Sequence, residues 1–275
     1  MRFHVHTPPP PLSEYIGWLW YFDGLETDHH KEKILPDGSI ELLINLDETP
    51  RKLFDKKAPS HWRSFREAWL SGPQTEFLLI DSLPKSSMMG VHIKPGGTVL
   101  FLGMPATEVA GAVVELEAIW GKQGLELRES LLGTPGPAAK LRRLEAFLLG
   151  RMRKRFVRHP AVTHALEQFT RAPHESTVGR TADRVGLSRR RFIEVFRHEV
   201  GMTPKRFCRL QRFQRVLREI ESRRSIDWAD LSAACGYYDQ SHFIHEFQAF
   251  SGINPAAYLV QKGEYLNFIP IREKQ

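Results

Sequence analysis

Residues 178–207 read VGRTADRVGLSRRRFIEVFRHEVGMTPKRF, and residues 228–258 read WADLSAACGYYDQSHFIHEFQAFSGINPAAY. They are two copies of one pattern. Gly186, Phe192, Phe196, Gly201, Pro204 and Phe207 recur as Gly236, Phe243, Phe247, Gly252, Pro255 and Tyr258. Upstream, Val178, Thr181 and Ala182 pair with Trp228, Leu231 and Ser232. Up to the first glycines the offset is 50; every later pair is 51 apart, so the second copy carries one extra residue just after Gly236. Each copy predicts a helix closed by glycine, which tolerates the left-handed conformation of a C-terminal cap. A second helix then buries phenylalanines four residues apart. Helix, short turn, helix is the helix-turn-helix unit.

In the first copy, Ser176 or Thr177 caps a helix running to Val185, and Ser188 caps the next, Arg189 to Val200. Phe192, Val195, Phe196 and Val200 form its buried stripe, leaving Arg189, Arg190, Ile193, Glu194 and Arg197 outside. A helix fits the major groove with its N-terminal residues nearest the bases. Arginine suits guanine O6/N7 and phosphate; glutamate accepts from cytosine N4. A solvated charged face is the competing reading, and three arginines straight after a serine cap favour DNA. A long helix, Lys205 to Glu221, joins the units, with Arg206 and Arg209 near its start as phosphate ligands. In the second copy Ser225 or Asp227 caps the first helix and Asp239 the second, Gln240 to Phe250, which turns Gln240, Ser241, Ile244 and His245 outward with His242 beside them. Asn254-Pro255 opens a last helix to about Gln261, and the tail beyond is weakly patterned.

Charge follows the same division. The net +7 splits into +10 over residues 151–275 and −3 over residues 1–150. Within the basic part, residues 151–225 carry +13 and residues 226–275 carry −3. A basic half beside a mildly acidic one points to a nucleic-acid-binding domain. The two cysteines, Cys208 and Cys235, form no CxxC, which argues against a zinc ribbon or a disulfide framework. No apolar run approaches the roughly 18 residues of a membrane helix, and Met1 to Pro11 has no signal-peptide core, so a reducing cytoplasm is expected.

The first half reads as short strands punctuated by glycine and proline: Trp18 to Asp23, Lys33 to Leu35, Ser39 to Leu46, Phe65 to Ser71, Glu76 to Asp81 and Met88 to Ile93. Pro36-Asp37-Gly38 predicts a hairpin turn, and Asp47 to His61 predicts loop. Helices follow at Thr98 to Leu102, Pro105 to Ala110, Gly124 to Leu132 and Pro137 to Arg155. In the last, Leu141, Leu144, Phe147, Leu148 and Met152 share one face, for its own domain or for a second subunit. The fold class is α+β: a β-rich, barrel-like N-terminal domain with a helical extension (1–155), an all-α domain of two helix-turn-helix units joined by a long helix (156–262), and a tail (263–275). Trp18, Trp20, Phe22, His92 and Lys94 are positioned to line a ligand cavity in the β-rich domain, or are ordinary core and surface. His4 and His6 form an HxH without the other ligands of a metal site, and no phosphate loop, GxSxG elbow or catalytic constellation occurs.

Residues 160–261 resemble the DNA-binding domain of the AraC/XylS family of bacterial regulators. The resemblance rests on Ala182, Gly186-Leu187-Ser188, Phe192, Phe196, Gly201 and Thr203-Pro204, then on Gly236-Tyr237, Asp239-Gln240-Ser241-His242-Phe243, Phe247, Gly252, Asn254-Pro255 and Tyr258. It implies seven helices, two units entering successive major-groove segments, and base reading by Arg190, Ile193 and Glu194 and by Gln240, Ser241, Ile244 and His245. The first half is similar to a known N-terminal companion of such domains through Ile34-Leu35-Pro36-Asp37-Gly38, Ser71-Gly72-Pro73-Gln74-Thr75, His92-Ile93-Lys94-Pro95-Gly96-Gly97 and Leu102-Gly103-Met104-Pro105-Ala106. The implied protein is a sequence-specific, double-stranded DNA-binding transcription regulator, controlled by a small-molecule effector or by homodimerisation, touching RNA polymerase if it activates, with no cofactor and no enzymatic activity. The alternative is an enzyme, a metal-dependent barrel or a DNA-repair type, carrying a DNA-binding appendage. One departure matters: where the family usually carries Arg or Lys after the Asp-Gln-Ser run, this chain has His245, Glu246 and Gln248. The first unit is therefore expected to supply most of the affinity.

Overall fold

The structure is a computed structural model and describes residues 2–152, 157–173 and 177–272. In chain order the strands are β1 (Arg2–His6), β2 (Ile16–Asp23), β3 (Lys31–Ile34), β4 (Ile40–Asn45), β5 (Arg51–Phe54), β6 (Trp62–Phe65), β7 (Ala68–Ser71), β8 (Leu78–Asp81), β9 (Ser87–Ile93), β10 (Val113–Glu115) and β11 (Phe268–Ile271). They make two antiparallel sheets, ordered β1-β2-β9-β4-β7-β10 and β11-β3-β8-β5-β6. The sheets face each other without closing, so the barrel-like expectation becomes an open two-sheet domain: the edge strands of one sheet do not pair with those of the other.

Period-2 alternation sorts the larger sheet's side chains. Leu19 and Tyr21 of β2, Leu42 and Ile44 of β4, and Met89 and Val91 of β9 point to one face. The helices α1 (Thr98–Leu102), α2 (Leu116–Trp120), α3 (Lys122–Leu132) and α4 (Pro137–Arg151) cover that face. Leu141, Leu144 and Leu148 of α4 are buried there, so its apolar stripe serves its own domain. Trp20, Phe22, Leu43 and Trp69 point to the other face and meet Leu53, Phe65 and Leu78 of the smaller sheet.

Several stretches of the first half depart from the sequence reading. β5 lies inside the stretch expected to be loop; its Arg51 is buried, ion-paired to Asp47 and bonded to Asn45 Oδ1 at 3.3 Å. β1 makes a full ladder with β2, so the HxH residues sit on a strand, with His6 bonded to Glu145. Pro36-Asp37-Gly38 does not close a hairpin. β3 pairs with β8 and β11, whereas β4 pairs with β7 and β9, so the turn passes the chain from one sheet to the other. Its local chemistry is still a turn: Asp37 Oδ1 accepts from Ser39 N at 2.8 Å.

The second half contains α5 (Pro160–Arg171), α6 (Val178–Arg184), α7 (Arg189–Val200), α8 (Pro204–Ser222), α9 (Trp228–Ala234), α10 (Gln240–Ser251) and α11 (Pro255–Gln261). Residues 153–156, where the expected domain boundary and the end of the fourth N-terminal helix fall, lie outside the described residues, as does Ser176. α8 is buried along most of its length and divides the core. Phe196 packs edge-on to Phe207 at 5.7 Å on one side, and Phe213 to Phe247 at 5.2 Å on the other. Truncating any of these rings to alanine costs about 3–5 kcal/mol, so they are scaffold. The segment expected to be a tail instead forms β11 beside β3, with Ile269 fully buried in the core of the helical half.

The two halves dock through polar carbonyls and close backbone contacts. Gln214 Nε2 donates to Pro36 O at 2.7 Å, Gln211 Nε2 to Asp37 O at 3.2 Å, and Gly38 lies against Phe207 and Leu210. The loop between β7 and β8 touches both helix-turn-helix units at equivalent places. A Cβ on Gly201, the cap of α7, would lie 2.8 Å from Pro73; one on Gly252, the cap of α10, would lie 2.3 Å from the Phe77 ring. Phe77 N also donates to Phe250 O at 3.0 Å.

Candidate nucleic-acid interface

The two units are built by the same bonds. Leu187 N donates to Ala182 O, and Tyr237 N to Ser232 O, each at 3.0 Å. Gly186 and Gly236 take φ of 68° and 77°, the left-handed region that the turn demands. Ser188 accepts from Arg191 N at 3.2 Å and Asp239 from His242 N at 2.7 Å, so each reading helix starts on a side-chain cap. α7 and α10 are both 12 residues long. The bonds match at offset 50 through Tyr237 and the caps at 51, which places the extra residue at Tyr238. That side chain is 92% exposed, at the mouth of the second reading helix.

Outward faces differ in charge. On α7, Arg189, Arg190, Arg191, Glu194 and Arg197 are exposed and Ile193 is half-buried. Glu194 accepts from Arg190 Nε at 3.1 Å and lies 3.6 Å from Arg191, a pairing confined to the helix surface. On α10, Gln240, Ser241, His245 and Gln248 are exposed, and Ile244 is half-buried.

Glu246 is not part of that face. It is buried, and it accepts from Arg209 Nε at 2.6 Å, with Arg212 and His242 each 3.4 Å away. The four residues tie α10 to α8. Arg209, expected to meet phosphate, is held in this cluster and stacks over Phe250, because a buried carboxylate outcompetes solvent for its guanidinium. His242 turns the same way, against Tyr237. Arg206 remains exposed near the start of α8.

Glu199, in the last turn of α7, accepts from His159 N at 3.1 Å; burial pushes its carboxyl up to about 7, against the pull of that bond and of Arg158. Arg158 reaches back to Gly96 O at 3.3 Å and lies over the Tyr15 ring. Both thiols are buried and raised by that burial, Cys208 to about 12 and Cys235 to about 11.

The ligand residues expected in the β-rich domain are partly brought together. Trp18 stacks on His92 with centroids 3.8 Å apart, and Trp20 on Phe22 at 5.7 Å. His92 Nδ1 meets Glu41 Oε1 at 2.5 Å; burial, the largest single influence, opposes its charge, but the Glu41 bond and the charges of Glu41 and Asp37 together outweigh it and raise its pKa. Burial raises the Glu41 carboxyl in turn. Trp20 and Phe22 fill the space between the sheets. Lys94 stands apart, donating to Ser13 O at 2.7 Å. Among the described residues no group of three or more His, Cys, Asp or Glu side chains is arranged to hold a metal, and no helix is long and apolar enough to cross a membrane.

Sequence comparison agrees with this division. A family described as a helix-turn-helix domain matches residues 181–261, and a domain of unknown function (DUF6597) matches residues 4–115. No protein with curated annotation matches the chain. Among solved structures, ToxT from Vibrio cholerae is similar over 94% of this chain and 98% of its own, at 10% identity and a TM-score of 0.46. The C-terminal domain of AraT, a response regulator from Geobacillus stearothermophilus, covers 40% of this chain and 93% of its own, at 18% identity and 0.37. An AraC-type regulator from Chromobacterium violaceum covers 38% and 94%, at 22% and 0.35. Scores this low lend no weight to a functional argument. The fold and the matched domain define a DNA-binding transcription regulator with a double helix-turn-helix domain. Within that class, the C-terminal part is a helix-turn-helix domain of the AraC type, preceded by a β-rich DUF6597 domain.

Proposed function

We propose that this protein binds specific double-stranded DNA sites with α7 and α10 in successive major-groove segments, and that its N-terminal domain governs how the two helices are presented. One observation carries the reading: both reading helices expose their capped N-terminal halves, while one loop of the N-terminal domain abuts both of their C-terminal glycines. Ser188, Arg189, Arg190, Ile193, Glu194 and Arg197 are the contacts of the first unit. Gln240, Ser241, Ile244 and His245 are those of the second. Arg206 contacts phosphate, and Tyr238 adds a contact at the extra position. Positioning by phosphate and reading by base edges are separate roles, and Arg189, Arg190 and Arg197 of α7 supply most of the first. A small-molecule effector, homodimerisation and contact with RNA polymerase are further expectations of this reading, and the chain acts without catalysing a reaction. Selection of bound duplexes from a random library tests it. Enrichment of one motif supports the proposal; failure to enrich at any salt concentration refutes it.

A further inference from the structure

The outer face of the smaller sheet carries a cleft of about 580 Å³ that no role above uses. The ladder puts Lys31 opposite Asp81, and Lys52 opposite Ser64 with Phe54 opposite Trp62, so these side chains share one face. All of them line the cleft. Lys31 Nζ sits 4.6 Å from the centre of the Phe54 ring, and Lys52 Nζ 4.5 Å from that of Trp62. Among the described residues neither ammonium has a carboxylate within ion-pair distance. Trp62 is 50% exposed, an open aromatic face at the rim. Asp81 is 8% exposed, and its Oδ2 is buried without a hydrogen-bond partner. Two unpaired cations over aromatic rings, beside a buried oxygen lacking a donor, have the chemistry of a site and not of a packed core.

We propose that this cleft binds a small organic acid with a flat apolar body and a hydrogen-bond donor. The acid's carboxylate meets Lys31 and Lys52, its body lies on Trp62 and Phe54, and its hydroxyl or amino group donates to Asp81 Oδ2. This rests on the regulatory reading above and supplies the class of its effector. The same face continues towards the DNA-binding half. Lys33, two residues along from Lys31, lies over Phe77 at 4.5 Å and reaches Ser251 O at 3.4 Å, the last residue of α10. Occupation of the cleft is thereby felt at the second reading helix.

Calorimetric titration of the full chain with three probes tests the proposal. 3-(4-Hydroxyphenyl)propionate has the acid and the donor, 3-phenylpropionate lacks the donor, and 3-phenylpropanamide lacks the charge. For probes of this size the first should bind with a Kd of about 1 mM or tighter. Losing the charge should weaken binding about tenfold or more, as should Lys52→Met, with Lys31→Met as a second variant whose melting temperature is checked against the parent. Asp81→Asn should erase the preference for the hydroxylated probe. Equal binding of acid and amide, or no saturable binding of any probe at about 10 mM, overturns the site. With the cleft saturated, affinity for the selected duplex should shift severalfold. An unchanged affinity overturns the link to α10. DNA selection that succeeds while probe binding fails rejects the cleft alone; the reverse rejects the DNA reading alone.

Discussion

Replacing Arg189 and Arg197 together by glutamine should flatten the salt dependence of DNA binding, and replacing Gln240 and His245 together by alanine should not. Arg189 and Arg197 are the exposed arginines of α7 outside the Glu194 pairing, so their charge is the least compensated on that face. Each phosphate neutralised contributes about 0.9 to the slope of log K against log salt, so losing two lowers the slope by about 1.8. Between about 50 and 200 mM salt, that change shrinks the loss of affinity by roughly a factor of ten. α10 exposes no Lys or Arg, so the Gln240/His245 variant should keep the parental slope and lose discrimination at its own bases, by about 1–3 kcal/mol per bidentate contact. Fluorescence anisotropy titrations of a labelled duplex across that salt range measure both quantities. Equal slope changes in the two variants would refute the assignment of affinity to the first unit.

Three further outcomes follow from the packing. Gly252→Ala should destabilise the protein by more than Gly186→Ala in thermal melts. Both pay about 1–2 kcal/mol for a left-handed alanine, but only at Gly252 does the new Cβ meet a neighbour, the Phe77 ring. Adding Phe77→Ala to each should bring the two costs closer together, and a gap that persists would count against the contact of Gly252 with Phe77. Glu199 keeps its proton to about pH 7 in the folded state, against an ordinary value of 4.5. Its contribution to stability is full below about 4.5 and lost as pH rises through about 7, an effect of up to about 3 kcal/mol. Glu199→Gln should therefore flatten the stability profile over that window, and an unaltered profile would place the titration elsewhere. Cys208 and Cys235 should resist aromatic disulfide reagents in the native state and react on denaturation, since both thiols are buried and hard to ionise. Rapid labelling without unfolding would contradict their burial.

The repeat was legible because each of its signals is local: a cap, a left-handed glycine and a four-residue aromatic spacing sit within one helix or one turn. Even the insertion was visible as a change of offset, and the structure assigns it to Tyr238. What escaped was pairing across the chain. Pro36-Asp37-Gly38 has the composition of a hairpin turn, but which strands then pair is decided by distant partners, β8 and β11 on one side and β7 and β9 on the other. β5 hid in a polar stretch because its outward face carries Lys52 and its buried Arg51 is neutralised by Asp47. β11 is four residues long, too short for a period to show, and it exists because β3 offers an edge. Arg209 and Glu246 look like surface charges on two separate helices. Only the folded core brings them within 2.6 Å, taking Glu246 off the reading face and tying the Arg209 guanidinium to it.

DNA reading by both helices is measured directly by recovery of bound duplexes by the purified protein from a random-sequence library, followed by footprinting on the best site. One enriched motif is expected, with two protected major-groove segments on the same side of the duplex, about one helical turn (10–10.5 bp) apart. The first should be lost with Arg190 and Glu194 variants and the second with Gln240 variants. A single protected segment unaffected by Gln240, or binding without any enriched sequence, would contradict it.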